Sequence, residues 1–210
     1  MQHDDSPARP HGPHSREHFA AVYQESDRVW SGNPNAALVS FVSDAPAPPA
    51  GTALDIGCGE GADVVYLASR GWHVVGIDLV DVAIERSQQL LAEQVPDVAA
   101  RVQLEAIDFR DFSARGETFD LVSCHYSTLP AEAETLHALE DAVAPGGYLL
   151  FVHHYAEGEG VAMPAWVRDR LSALEVLSFE SRPRNVSHGA GAHHHEDVVL
   201  IVQRPAEESF

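Results

Sequence analysis

From residue 52 onward, short apolar runs alternate with segments of helical periodicity. A glycine-rich turn follows the first of these runs, and the chain closes on two apolar runs joined by a polar loop. Together these features predict an α/β protein with a mostly parallel, doubly wound sheet and an antiparallel hairpin at one edge. Alternation carries the prediction because parallel neighbours need crossover connections, usually helices.

Residues 1–15 (MQHDDSPARPHGPHS) are polar and rich in Pro and His, the composition of a flexible tail. Residues 16–30 read as a helix with Phe19, Val22, Tyr23 and Trp30 turned inward. SGNPN (31–35) is a turn, and a short helix over roughly 35–44 follows. This pair forms an N-terminal helical cap over 16–44. The stretch DAPAPPAG (44–51), with three prolines, excludes regular structure and links the cap to the first strand. TALDIG (52–57) is a buried strand and ADVVYLASRG (62–71) a helix stopped at Gly71. HVVGIDL (73–79) is the second strand, and VDVAIERSQQLLAEQV (80–95) a long helix ended by Pro96. ARVQLEAID (100–108) and FDLVSCHY (119–126) are the third and fourth strands, with a helix near 131–143. GGYLLFVHHY (146–155) is the fifth, with a helix near 164–172. LEVLSFESR (174–182) and DVVLIVQR (197–204) complete the sheet. With neither an internal repeat nor a second core, residues 16–210 form a single domain.

Composition narrows the function. A net charge of −19 suits neither nucleic acid nor anionic lipid, which need clustered cations, and favours small cationic or neutral substrates. All 13 Lys and Arg positions are arginine, so Schiff-base chemistry on lysine is excluded. Two cysteines, Cys58 and Cys124, make no disulfide framework and read as small buried residues. No apolar stretch reaches membrane-spanning length, and the polar N-terminus lacks a signal-peptide core, which gives a cytoplasmic expectation.

The turn LDIGCGEG (54–61) carries Gly57, Gly59 and Gly61 at the carboxyl end of the first strand, where doubly wound sheets bind ligands. Its spacing is G-x-G-x-G, not the G-x-G-x-x-G of dinucleotide sites, and Glu60 inside it would repel a pyrophosphate. An NAD-dependent dehydrogenase is thereby disfavoured. Asp78 ends the second strand, about 20 residues on, where a carboxylate bonds ribose hydroxyls. Asp108 and Phe109 end the third strand as a pair able to bond and pack an adenine. Asp55 precedes the turn and can face an ammonium group. Ribose, adenine and ammonium without phosphate describe S-adenosylmethionine (SAM).

On LDIGCGEG (54–61), VVGIDL (74–79), AIDFRDF (106–112), FDLVSCHY (119–126) and PGGYLLF (145–151), the sequence resembles the class I SAM-dependent methyltransferases over about residues 16–204. The resemblance implies a Rossmann-like, seven-stranded sheet whose last strand is antiparallel. It implies that Asp55 to Gly61 lines the methionine part of SAM and that Asp78 holds the ribose. It further implies that Leu79, Asp108 and Phe109 frame the adenine, that His125 faces the methyl group, and that the cap lies over the cofactor. Tyr23 and Trp30 are then either core aromatics or a roof over the substrate. WSGNPN and the small size are loosely similar to bacterial tellurite-resistance and thiopurine S-methyltransferase types, enzymes of small molecules.

Of 13 histidines, His125 closes the fourth strand, His153 and His154 the fifth, and His193, His194 and His195 precede the last. An antiparallel last strand begins at the edge where the fourth and fifth end, so these six would gather there. Three readings stand. Alternation turns His193 and His195 the same way, and with His153 they make a three-imidazole set for a divalent transition metal. Neutral imidazole is also a fitting general base, with His125 and His154 as candidates. The bland reading is a solvated polar loop. The sequence therefore predicts SAM-dependent methyl transfer to a small molecule, the accepting atom (O, N, S or metalloid) and the oligomeric state being open. The alternative is a metal-dependent or metal-binding protein on the same fold.

Overall fold

The computed structural model describes residues 16–24, 29–154, 160–184 and 194–206. The expected tail at 1–15 lies outside them. Helices α1 (Arg16–Gln24) and α2 (Ala36–Ser43) form the cap. There follow β1 (Thr52–Ile56), α3 (Ala62–Ser69), β2 (His73–Asp78), α4 (Asp81–Ala92), α5 (Pro96–Ala99), β3 (Val102–Ala106), α6 (Phe109–Ser113), β4 (Phe119–His125), α7 (Ala133–Asp141), β5 (Val143–His154), α8 (Pro164–Arg168), β6 (Glu175–Pro183) and β7 (Glu196–Gln203).

The strands make a seven-stranded sheet in the order β3-β2-β1-β4-β5-β7-β6. Strands β1 to β5 pair in parallel, and β7 is antiparallel to both β5 and β6. The expected edge hairpin is thus present, with the last strand inserted between β5 and its own partner. Strand order reverses at β1, between β2 and β4, which opens a crevice at the carboxyl edge. Because β7 runs the other way, its first residues reach that same edge, and Asp197 pairs with His154.

Central strands are buried on both faces, as parallel sheets covered by helices require. Leu149 and Phe151 of β5, with Leu200 and Val202 of β7, pack into one core cluster; Leu150, Val152 and Val199 pack into the other. A third cluster joins Tyr23 and Val29 of the cap region to Val80 and Ala83 at the start of α4.

Three helices differ from expectation. The first ends at Gln24, and Val29 and Trp30 are not helical. The long one stops at Ala92, and Pro96 opens the separate α5 at its first position, where a missing N–H costs nothing. The helix expected over 164–172 is only Pro164–Arg168. The short α6 was not expected; Asp108 starts it by accepting from the Arg110 N–H at 2.9 Å. No helix among the described residues is long and apolar enough to cross a membrane.

Candidate active site

A cleft of about 940 Å³ opens along the carboxyl edge, at the upper end of the ~300–1,000 Å³ usual for small-molecule sites. One end is the glycine turn and the other the histidine cluster.

At the glycine end, Gly57, Gly59 and Gly61 all have positive φ (72°, 54° and 85°). The close approach they permit is partly to the protein itself. A Cβ on Gly61 would lie 2.6 Å from Ser87 Oγ, and one on Gly59 3.2 Å from Trp30 Nε1. Ser87 Oγ in turn donates to the Gly59 carbonyl at 2.9 Å. Asp78 accepts the Gly59 N–H through Oδ2 and the Val80 N–H through Oδ1, both at 3.0 Å, so its carboxylate shapes the turn as well as facing the cleft. Burial holds its pKa above the ordinary value despite those bonds. Leu79, Asp108 and Phe109 line the same end.

Glu60 lines the cleft, but its carboxylate is engaged by the chain itself. Oε1 accepts from the Val29 N–H at 3.0 Å and from Arg86 at 2.7 Å, and Oε2 from the Trp30 N–H at 3.1 Å. It clamps the cap onto the turn. Arg86 also donates to the Tyr23 carbonyl, and Trp30 Nε1 donates to Tyr23 Oη at 2.8 Å. Tyr23 is 3% exposed and belongs to the core, and both Tyr23 and Trp30 line the cleft beside Gly59.

Beneath the turn lies a carboxylate pair. Asp55 is buried and accepts from Ser123 Oγ at 2.7 Å; burial, then the charge of Asp63, pushes its carboxyl up to about 7. Asp63 Oδ1 accepts the Asn35 N–H at 2.6 Å, and Oδ2 lies 2.8 Å from His125 Nδ1. His125 Nε2 is sealed from water with no hydrogen-bond partner among the described residues. Candidate ligand atoms of Asp55, Asp63 and His125 all lie within 4.8 Å of one another. Two carboxylates and an imidazole at that spacing suit a small cation such as an ammonium group. Cys58 and Cys124 are buried, and burial raises both thiols, so they are packing residues as expected.

At the histidine end, Tyr126 follows β4 with φ 55°, a conformation L-residues rarely adopt. Its hydroxyl donates to Asp197 Oδ2 at 2.7 Å and accepts from Asn35 Nδ2 and Arg184 Nε, each at 3.3 Å. Asp197 Oδ1 faces His154 Nδ1 at 3.2 Å, and Arg184 Nε lies 3.6 Å from Oδ2. The His154 ring is stacked between Tyr126 at 4.3 Å and His194 at 3.9 Å. His153 also lines the cleft, with both ring nitrogens sealed from water and unbonded among the described residues. Burial, aided by His154, lowers it to about 4, so it stays neutral.

Of the expected metal set, His153 and His195 are not brought together in the cleft. His193 lies outside the described residues, and His195 is absent from the cleft lining, where His194 stands instead. Period-two alternation operates only inside a strand, and β7 starts at Glu196; the His195 carbonyl is held by the Arg184 N–H at 2.8 Å. No His group with ligand spacing occurs among the described residues apart from His125 with its two aspartates. Asp63, Tyr126, Arg184 and Asp197 escaped sequence reasoning. Only Asp197, opening a strand antiparallel to the one ending at His154, carried a usable signal.

Residues 53–147 match a family model described as a methyltransferase domain. A ubiquinone biosynthesis O-methyltransferase of Hydrogenovibrio crunogenus is 31% identical over 122 residues, 56% of this chain and 48% of that protein. The chain spans about half the length of the curated relatives it matches. Among solved structures, one described as "Conversion of a Disulfide Bond into a Thioacetal Group during Echinomycin Biosynthesis" superposes with a TM-score of 0.69 at 21% identity, covering 92% of this chain and 94% of that one. The glycopeptide N-methyltransferase MtfA complexed with S-adenosylhomocysteine (SAH) gives 0.62 at 17% identity, covering 91% and 99%. At such identities the structural likeness speaks for the fold.

Proposed function

We propose that the chain is a class I SAM-dependent methyltransferase, a reading supported by the methyltransferase family model over residues 53–147 and by the O-methyltransferase relatives, and that it transfers the SAM methyl group to a small molecule bound at the histidine end of the cleft. One observation carries this reading. A single cleft joins the glycine turn, with Asp55, Asp78 and Asp108, to a wall of histidines at the ends of β4 and β5. Cofactor and acceptor can therefore meet within it.

Asp78 takes the ribose hydroxyls with the lone pairs its two backbone bonds leave free. Asp108, Leu79 and Phe109 frame the adenine. Asp55 and Asp63 face the ammonium group of the methionine part, and the Tyr23–Trp30 pair covers it. The sulfonium is a good leaving group, so the protein mainly aligns the nucleophile with the S–CH₃ bond and excludes water. His125 ends β4 under the reacting methyl. The names of the relatives and neighbours reported above cover both O- and N-methylation, and an oxygen or nitrogen acceptor follows by analogy. No observed set of histidines supports the metal-dependent alternative.

Calorimetry with SAH and with NAD tests the cofactor, and transfer of labelled methyl from SAM tests the reaction. SAH should bind one to one and NAD should not. NAD binding without SAH binding would overturn the reading.

A further inference from the structure

The reading above leaves open which residue takes the acceptor's proton and what kind of acceptor enters. His125 and His154 each carry a carboxylate on Nδ1. His125 is bonded to Asp63, but its Nε2 is sealed from water and its carboxylate stands beside Asp55, at the cofactor end. His154 lies at the other end, lines the cleft, and keeps 14% of its side chain exposed. Asp197 accepts at Nδ1, which fixes the hydrogen there and leaves Nε2 as the ring's proton acceptor. Tyr126 and His194, flat against its two faces, hold the ring's tilt.

Among the described residues, the charges around it are matched. Asp197 is shared by Tyr126, His154 and Arg184, and Arg182 is bonded to Glu180 at 2.6 Å. Arg110, the other arginine of the lining, stands 3.5 Å from Asp108 Oδ1, and Arg184 and Arg182, which also line the cleft, likewise already face carboxylates of the chain. An anionic acceptor would compete with Glu180 and Asp197 for them, and an ammonium acceptor would compete with Arg184 for Asp197. His153, which is neutral, adds no charge. An uncharged group enters without breaking any pair.

We propose that His154, positioned by Asp197, is the general base for an uncharged, weakly acidic hydroxyl of phenol or enol type. This rests on the methyltransferase reading. The acceptor O–H proton passes to His154 Nε2 as the oxygen attacks the methyl carbon. The C–S bond breaks with its electron pair on sulfur, leaving neutral SAH, and the imidazolium returns its proton to solvent. A phenol near pKa 10 is within reach of an imidazole base, whereas an ordinary alcohol is far less acidic. Asp197 touches neither reactant; it sets the tautomer and stabilises the imidazolium.

The test uses full-length protein with labelled SAM and a matched set of probes: phenol, benzylamine, benzoate and thiophenol. Methylation of phenol should exceed that of benzylamine and benzoate at least tenfold. Asp197→Asn, which favours the wrong tautomer, should lower kcat on phenol about a hundredfold or more while KM changes little. The double variant with His154→Ala should be no slower than the slower single one. Faster methylation of benzylamine or benzoate, an unchanged kcat in Asp197→Asn, or additive losses would each overturn the proposal. If no probe is methylated, ¹⁵N imidazole NMR on the SAH-loaded wild type decides. Nδ1–H on His154 and a shift of its signals on adding phenol support the assignment. Nε2–H, or signals that phenol leaves unmoved, overturns it. SAH binding, measured separately, keeps failure of this proposal distinct from failure of the methyltransferase reading.

Discussion

At the glycine end of the cleft, Asp55, Gly57, Gly59, Asp78, Asp108 and Phe109 lie in or next to the ends of three adjacent parallel strands. At the histidine end, Asn35, Tyr126, His154, Arg184 and Asp197 come from five separate segments and are joined by one hydroxyl and one carboxylate. Strand direction explains the contrast. Parallel strands deliver their final residues to one edge by topology alone, so a cofactor site needs only short motifs in order. The histidine end depends on β7, whose reversed course brings its first residues to meet the last of β5. An end built from strand termini resists change in any one loop; an end held by shared polar atoms changes when any contributor moves.

The strongest challenge to that contrast is Glu60→Ala, because the Glu60 side chain fastens the turn to the cap. Its side chain is 11% exposed and Arg86 19%, so removal leaves a largely buried guanidinium without this carboxylate and two backbone N–H groups without acceptors. The expected loss is about 2–4 kcal/mol, read as a thermal midpoint lower by roughly 5–15 °C. Weaker SAH binding should accompany it as the Tyr23–Trp30 cover loosens. An unchanged midpoint would show that the cap is not fastened through Glu60.

Next comes Asp78, which separates the ligand's share of a carboxylate from the turn's. Asp78→Ala loses ribose bonds worth about 1–3 kcal/mol, a ten- to hundredfold fall in SAH affinity, and also releases the Gly59 and Val80 N–H groups. Asp78→Asn retains an acceptor oxygen for one of them and should bind SAH between wild type and Ala. Equal SAH affinity in all three proteins would place the ribose elsewhere.

How legible each end was follows from the same physics. The sheet, its antiparallel last strand and the gathering of Asp55, Asp78, Asp108 and Phe109 at the glycine end could be read because strand periodicity and glycine spacing are local signals. Glu60 was misjudged because a charge in a turn looks exposed until the partner, 26 positions away, is known. His195 was chosen over His194 because alternation was extended past the strand's first residue. The Asp63–His125 and Asp197–His154 pairs span 62 and 43 positions, and no spacing rule links residues so far apart.

The smallest expected effect concerns protons, and it sets the two ends against each other directly. The Asp55 carboxyl, pushed up to about 7 by burial and by Asp63, lies above its unfolded value near ~3.9. The folded chain therefore holds this proton more tightly, and the group's contribution to stability falls as pH rises from about 4 to about 7, then levels off. Burial pulls His125 down, but its bond to Asp63 and the charges of Asp63 and Asp55 outweigh that and raise it. Its contribution too is present at low pH and lost as pH rises through the raised value. Ligand-free protein should thus lose stability toward pH 8, and Asp55→Asn should lose less. An ammonium group at Asp55 and Asp63 reverses the sign for binding, since an ionised carboxylate and a neutral imidazole both favour it. SAH affinity should rise about three- to tenfold from pH 6 to pH 8. Calorimetry at pH 7 in buffers of different ionisation heat should show proton release on binding. Asp55→Asn should flatten that rise, whereas Asp197→Asn, at the other end of the cleft, should leave most of it in place. An affinity that is flat or falling with pH in the wild type would mean that the ammonium group does not sit on this carboxylate pair.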